Sequence, residues 1–228
     1  MTQRFPVIMF DLDGTLFDTA QAITTTFNAT FEALGLNQLD DHNIRNTIGL
    51  PLEKAFSKLL CQPEEESIIV SCVDEYQNQF RKKILPMAKE LLFPGVSEGL
   101  LKLKNEQFHL AVNTNKFARS ANALLTAAGI ADLFDVIVCA DEVHSKKPAP
   151  ESGQKILTYL QASKDQALMV GDTTHDIFMA NNLGCKSIAV DYGIHSQEEL
   201  KEANPTWIAS NFYRVVNICK QNFSDHHI

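Results

Sequence analysis

Several absences narrow the chemistry open to this 228-residue chain. Lys and Arg number 20 against 28 Asp and Glu, a formal charge of -8, and no extended basic tract occurs. Nucleic acid is bound largely through cationic contacts to phosphates, so it is not expected as the primary partner. No apolar run approaches the ~18 residues of a bilayer-spanning helix, and Asp11 arrives too early for a signal peptide. No membrane segment is expected. The five cysteines (Cys61, Cys72, Cys139, Cys185 and Cys219) are scattered, without a C-x-x-C pair. Such a set reads as reduced thiols, and a cytoplasmic location is the expectation. Neither a Walker G-x-x-x-x-G-K loop nor a dinucleotide-binding G-x-G-x-x-G is present.

The residues that are present fall into three blocks. "PVIMF", ending at Phe10, is a short apolar run that reads as a strand. From Asp18 to Ile84 strand signal is sparse, and Ile23, Phe27, Phe31 and Leu34 recur at helical spacing. "PLEKAFSKLL" and "PEEESIIVSCVDEYQNQFRKKI" read as further helices, the latter acidic at its start and basic at its end, as a helix dipole favours. Beyond "FPG", strand patterns ("FHLAVNT", "FDVIVCA", "ALMVG", "KSIAV", and a weaker "TWIAS") alternate with helical ones. The helices are expected near Val96–Lys104, Ala118–Ala128, Glu151–Leu160 and Thr174–Leu183, with a capping box at Ser196 and Glu199 opening another. Continuous apolar strands separated by helices indicate an α/β fold, a Rossmann-like parallel sheet covered on both faces. The predicted division is a core of residues 1–16 and 86–228 and an inserted helical domain near 17–85. The terminal His226-His227-Ile228 reads as an exposed tail.

In such sheets ligands bind beyond the carboxyl ends of the strands. There the sequence holds "FDLDGTLFDT", with Asp11 and Asp13 on one side of an extended segment. It also holds Asn113-Thr114-Asn115-Lys116, "SKKPAPE" with Lys146 and Lys147, and "GDTTHD" with Asp172 and Asp176 one helical turn apart. Carboxylates 4 Å apart repel by about 4 kcal/mol at an effective dielectric near 20. Several in one pocket must share protons or a cation. A carboxylate set with no histidine or thiolate at matching spacing suits Mg²⁺, and Mg²⁺ would reconcile an acidic pocket with a phosphorylated substrate.

These segments, in this order, resemble the haloacid dehalogenase superfamily, in particular its phosphoglycolate-phosphatase-like branch with a helical cap after the first motif. The resemblance covers essentially the whole chain. It implies that Asp11 attacks phosphorus and becomes an aspartyl-phosphate, and that Asp13 protonates the leaving group and then activates water. It implies Mg²⁺ held by Asp11, the backbone carbonyl of Asp13, and Asp172, with Asp176 ordering those ligands. Thr114, Asn115 and Lys147 would bind the phosphoryl oxygens, and Lys147, next to Pro148, matches the pattern better than Lys146. The expected partner is a small phosphate ester. Arg45 and Gly49 in "NIRNTIGLPLEKAF" are the cap positions expected to meet the leaving group, and Lys116 is a further candidate anion contact. Asp18 is expected to cap the first cap helix, and His175 to face solvent.

Other chemistries fit less well. An EF-hand counted from Asp11 needs glycine at its sixth position and an acid at its twelfth, where Leu16 and Ala22 stand. "GVSEG" matches the G-x-S-x-G of serine hydrolases, but no strand leads into it and Ser97 is expected in a helix's first turn. Within the superfamily, dehalogenases lack the second aspartate, which is present here as Asp13. Sugar-phosphate mutases carry an arginine after a cap glycine, where this chain has Gly49-Leu50-Pro51-Leu52. A pyrophosphatase would share every core motif, and a non-catalytic phosphoester-binding protein could share the fold.

Overall fold

A computed structural model of the chain describes residues 5–223. The His226–Ile228 tail lies outside them. Six parallel strands form one sheet in the order β3-β2-β1-β4-β5-β6. They are β1 (Val7–Phe10), β2 (His109–Asn113), β3 (Val136–Val138), β4 (Ala167–Gly171), β5 (Lys186–Val190) and β6 (Trp207–Ala209). β1 is central because every one of its side chains is apolar and buried. Alternate residues serve opposite faces: Ile8 and Phe10 join one cluster with Leu110, Val112, Leu168 and Val170, while Val7 and Met9 join another with Ala111, Ala167 and Met169.

Ten α-helices are described. α1 (Ala20–Ala33), α2 (Asp41–Arg45), α3 (Leu52–Leu60) and α4 (Ser67–Lys83) come after β1 without an intervening strand, and α5 (Val96–Asn105) leads into β2. α6 (Ala118–Ala128), α7 (Glu151–Tyr159), α8 (Thr174–Leu183), α9 (Gln197–Glu202) and α10 (Phe212–Phe223) alternate with the remaining strands. Leu100, Leu124 and Val215, from α5, α6 and α10, join the Ile8 and Phe10 cluster; Ile156 and Met179, from α7 and α8, join the other.

α1 buries Ile23, Phe27 and Phe31 at the expected spacing. Its buried threonines are tolerable because Thr24, Thr26 and Thr30 each donate a hydroxyl to the carbonyl four residues earlier. Phe27 packs against Phe56 of α3 at 4.6 Å and Tyr76 of α4 at 4.9 Å between ring centroids, which locks three helices together. Two local expectations are corrected. Asp18 is exposed and the position before α1 is Thr19, whose hydroxyl turns to Asp13 instead of capping the helix. Glu64, Glu65 and Glu66 precede α4 instead of opening it, although Arg81, Lys82 and Lys83 do occupy its last turn. The Ser196–Glu199 capping box forms, and Ser97 sits in the first turn of α5.

The register positions the site. Phe10 pairs with both Val112 and Val170, so the residues just past the three central strands reach the same rim. The order of connection reverses at β1, which opens a crevice at that rim.

Candidate active site

Asp11 leaves β1 still held to the sheet, its backbone N–H donating to the Val170 carbonyl at 3.0 Å. One of its oxygens accepts from Lys147 Nζ at 2.9 Å. The same ammonium donates to Asp176 Oδ1 at 2.5 Å and to the Asn113 carbonyl at 2.8 Å, which uses all three of its protons. Lys147, Asp172 and Asp176 are buried, and Asp11 is 5% exposed. Oxygens of Asp11, Asp172 and Asp176 lie within 4.8 Å of one another.

Each acid is fixed by its own short-range partners. Asp172 accepts the Thr15 hydroxyl on Oδ1 and the Ile194 N–H on Oδ2, both at 2.8 Å. Asp176 closes a capping box at the start of α8, its Oδ2 accepting both the N–H and the hydroxyl of Thr173. Gly14 makes the turn after Asp13 at a φ of 83°, and a side chain there would collide with Asp172. The Asp13 carboxylate lies outside the triad, between the Thr19 hydroxyl at 2.8 Å and Lys116 Nζ at 2.7 Å.

Burial dominates the electrostatics. It pushes the Asp11 carboxyl up to about 6 despite the pull of Lys147, and Asp176 and Asp13 add repulsion. Burial also drives Asp172 well above the usual carboxylate range, with Asp176 and Asp11 reinforcing it. For Lys147 burial works the other way, but Asp11 and Asp176 outweigh it and hold the ammonium charged. With all three carboxylates ionised, one ammonium would leave two negative charges in a buried cluster. A divalent cation would cancel them. The donors are all carboxylate oxygens, the chemistry of a hard metal, so the residues present fit such an ion.

Next to Asp11 lies a cavity with about 620 Å³ of empty volume, partly open to solvent. Asp11, Asp13, Thr114, Asn115 and Lys116 line one side, and residues of α1, α3, α4 and the turn at Thr47–Leu50 line the other. Thr114 is buried, its hydroxyl oxygen accepting from the Lys116 N–H at 3.2 Å and its own proton left to donate. Gly49 belongs to this wall, at a φ of 93° and with Thr173 side-chain atoms close by.

Two site expectations, for Arg45 and His175, require correction, and a third, for Asn115, is narrowed to its backbone. Both amide protons of Asn115 are engaged, by the Gly49 carbonyl at 2.9 Å and the Lys147 carbonyl at 3.2 Å, while its Oδ1 accepts the Lys147 N–H. The Asn115 side chain therefore braces the cavity, and its backbone N–H, which makes no hydrogen bond among the described residues, is the donor it has left for a phosphoryl group. Arg45 is exposed, bonded to Gln21 at 2.8 Å, and does not line the cavity, because α2 turns its polar face outward and buries only Ile44. His175 does not face solvent. It is half-buried edge-on to His195, and burial lowers its pKa. Lys146, the other lysine of its pair, bonds Glu53 of α3 at 3.1 Å.

Other participants escape a reading of the sequence. Thr15 lies inside the first motif and could have been singled out as an orienting hydroxyl. Ile194 acts through its backbone N–H and Tyr76 reaches the cavity from α4, and neither carries a sequence signal.

Comparison with known proteins agrees with this geometry. The family model for haloacid dehalogenase-like hydrolases matches residues 8–190. A protein of Dickeya dadantii named probable phosphatase IndB is 46% identical over 92% of both chains. Pyrophosphatase PpaX of Halalkalibacterium halodurans is 31% identical over 92% of this chain and 95% of its own. A solved structure described as a predicted phosphoglycolate phosphatase from Haemophilus somnus superposes with a TM-score of 0.82 at 27% identity, covering 96% and 99% of the two chains. The chain belongs to the haloacid dehalogenase-like hydrolases, and to the phosphatases among them.

Proposed function

We propose that the protein is a Mg²⁺-dependent phosphatase that hydrolyses a small phosphomonoester through an aspartyl-phosphate on Asp11. The observation that carries this reading is the buried gathering of Asp11, Asp172 and Asp176 around Lys147. Asp11, Asp172 and the Asp13 backbone carbonyl would hold the ion, with Asp176 orienting them. When bound, it supplies positive charge to the phosphoryl oxygens and leaves an acidic pocket able to admit an anion.

Asp11 attacks phosphorus, a new O–P bond forms, and the P–O bond to the alcohol breaks. Asp13 passes a proton to the departing oxygen. Water then attacks phosphorus, gives a proton back to Asp13, and releases the Asp11 carboxylate and inorganic phosphate. Lys147, its three protons held by Asp11, Asp176 and the Asn113 carbonyl, supplies positive charge beside the nucleophile, and the Thr114 hydroxyl donates to an equatorial oxygen. The helices within residues 17–85 serve as a cap over a core of residues 1–16 and 86–228. Contacts across that divide, Asn115 to Gly49 and Lys146 to Glu53, support a cap seated over the site that limits its access to water.

The likeness to a protein named pyrophosphatase PpaX supports a second reading, with pyrophosphate as substrate. Metal-depleted protein assayed on a panel of phosphomonoesters and pyrophosphate tests both. Turnover is expected to vanish in chelator and return with Mg²⁺; activity that persists in chelator would refute the metal assignment. Pyrophosphate turned over faster than every ester would promote the second reading.

A further inference from the structure

We infer that the leaving group this enzyme accepts is uncharged: an alcohol with an apolar or aromatic body and one hydrogen-bonding atom, carrying neither carboxylate nor second phosphoryl group. The inference rests on the phosphatase reading above and names its substrate class.

The cavity is polarised. Its charged lining residues are Asp11, Asp13 and Lys116, all from the core side where the phosphoryl group reacts. The facing wall is built from Ile23, Phe27, Ile48, Leu52, Ala55 and Tyr76, and no cation of residues 17–85 lines it. The nearby cations are committed elsewhere. Lys116 is bonded to Asp13 and lies over the Phe80 ring at 4.6 Å, Lys146 is paired with Glu53, and Arg45 is outside with Gln21. A carboxylate in the leaving group would be enclosed against hydrocarbon, and the one cation lining the cavity, Lys116, is already paired with Asp13. Burying an unpaired anion is among the most costly events in a protein interior. The second phosphoryl group of pyrophosphate would meet the same wall with more charge.

Among the side chains of that wall, only Thr47 and Tyr76 carry a polar atom. The Thr47 hydroxyl is already donated to the Ile44 carbonyl. The Tyr76 hydroxyl makes no hydrogen bond among the described residues. Burial, with Asp13 nearby, holds that phenol well above its ordinary pKa, so it is a neutral donor. Tyr76 thus selects for one polar atom on an otherwise apolar leaving group, and the rings of Phe27, Tyr76 and Phe117 favour a flat one.

The test compares kcat/KM of the Mg²⁺-loaded full chain for phosphoglycolate, for its neutral amide, phosphoglycolamide, and for benzyl phosphate. The acid and amide have nearly the same shape and differ in charge. The amide is expected to exceed the acid by at least about tenfold, and an acid as good as or better than the amide would overturn the inference. If none of the three, nor p-nitrophenyl phosphate, is turned over, the phosphatase reading itself falls. Leu52→Lys places an ammonium in the wall and should move the acid-to-amide ratio about tenfold towards the acid; an unchanged ratio in a variant with native circular dichroism counts against the inference. Tyr76→Phe should raise KM for the amide about threefold to tenfold more than KM for benzyl phosphate. Equal losses on both would remove Tyr76 from the assignment.

Discussion

The α-carbon of Gly14 lies against the carboxylate of Asp172. A methyl group on Gly14 would stand 2.1 Å from Asp172 Oδ2, and the residue holds a φ of 83°. Two segments 157 residues apart, joined by the bond from Thr15 to Asp172, thus meet without room for one additional carbon. The Gly14→Ala variant should displace Asp172, lower divalent-metal affinity, and cut kcat/KM by about 10²-fold or more. The left-handed φ should also cost about 1 kcal/mol or more of stability. Isothermal titration with Mg²⁺ alongside steady-state kinetics checks this; native metal affinity in the variant would show that the close approach is not required.

Asp11→Asn should abolish phosphoenzyme and reduce turnover by at least about 10⁴-fold. Its effect on stability has the opposite sign. Because burial raises the Asp11 pKa, its charged form is unfavourable without metal, and the neutral amide should leave metal-free protein as stable or more stable. Intact-mass analysis of quenched reactions and thermal denaturation in chelator measure the two effects. A variant that still traps phosphate on this chain would mean a different nucleophile.

The same shift predicts a pH dependence. Asp11 titrates at about 6 in the fold against an ordinary aspartate value of 3.8. Its folded-state value is raised, so its stabilising contribution is complete below the unfolded value and is lost as pH rises through about 6. The loss is on the order of 3 kcal/mol at its upper limit. The difference in stability between wild type and Asp11→Asn, both in chelator, should therefore move against wild type between pH 4 and pH 7. Mg²⁺ competes with that proton, so metal affinity should fall as pH drops below about 6. A flat difference across this range would show that Asp11 does not titrate there.

Asn115 separates a bracing role from phosphate binding. Asn115→Ala removes the link between the Gly49 carbonyl and the Lys147 backbone, leaving buried polar groups without partners, at a cost of about 1–3 kcal/mol. KM should rise with kcat reduced only a fewfold. A hundredfold fall in kcat at native stability would instead make the Asn115 side chain a phosphoryl ligand.

Asp13→Ala should slow turnover by about 10²–10⁴-fold. Asp11 is untouched, so phosphoenzyme should still form from an ester with a good leaving group and then persist. Rapid-quench kinetics distinguishes slow formation from slow breakdown, and near-wild-type turnover would remove Asp13 from proton transfer.

Much of this arrangement is legible one segment at a time. "ALMVG" and "KSIAV" coincide with β4 and β5, because a strand buried on both faces is apolar over most of its length, as Ala167–Gly171 and the last three residues of β5 are, and leaves that mark wherever it sits in the chain. Asp11, Asp13, Asp172 and Asp176 stand out because acids directly after such runs fall at the carboxyl rim, where an α/β sheet opens. The features that stayed hidden belong to contacts between distant segments. Nothing in "VNTNK" shows that the Asn115 amide would be saturated by Gly49 and Lys147 and not left for a ligand. Arg45 had the right chemistry for an anion, but the face α2 buries is decided by packing of Ile44, not by the arginine.

The sequence by itself determined the sheet, the helices and the set of groups able to perform phosphoryl chemistry, since these depend on local periodicity and on the residue types at each strand's end. Only the tertiary structure decided which oxygens share one cation-sized space, that Lys116 neutralises Asp13, and that the wall facing the phosphoryl site carries no charge. Those outcomes are set by distances between side chains far apart in the chain, and electrostatic and steric energies depend on those distances, not on order along the polymer.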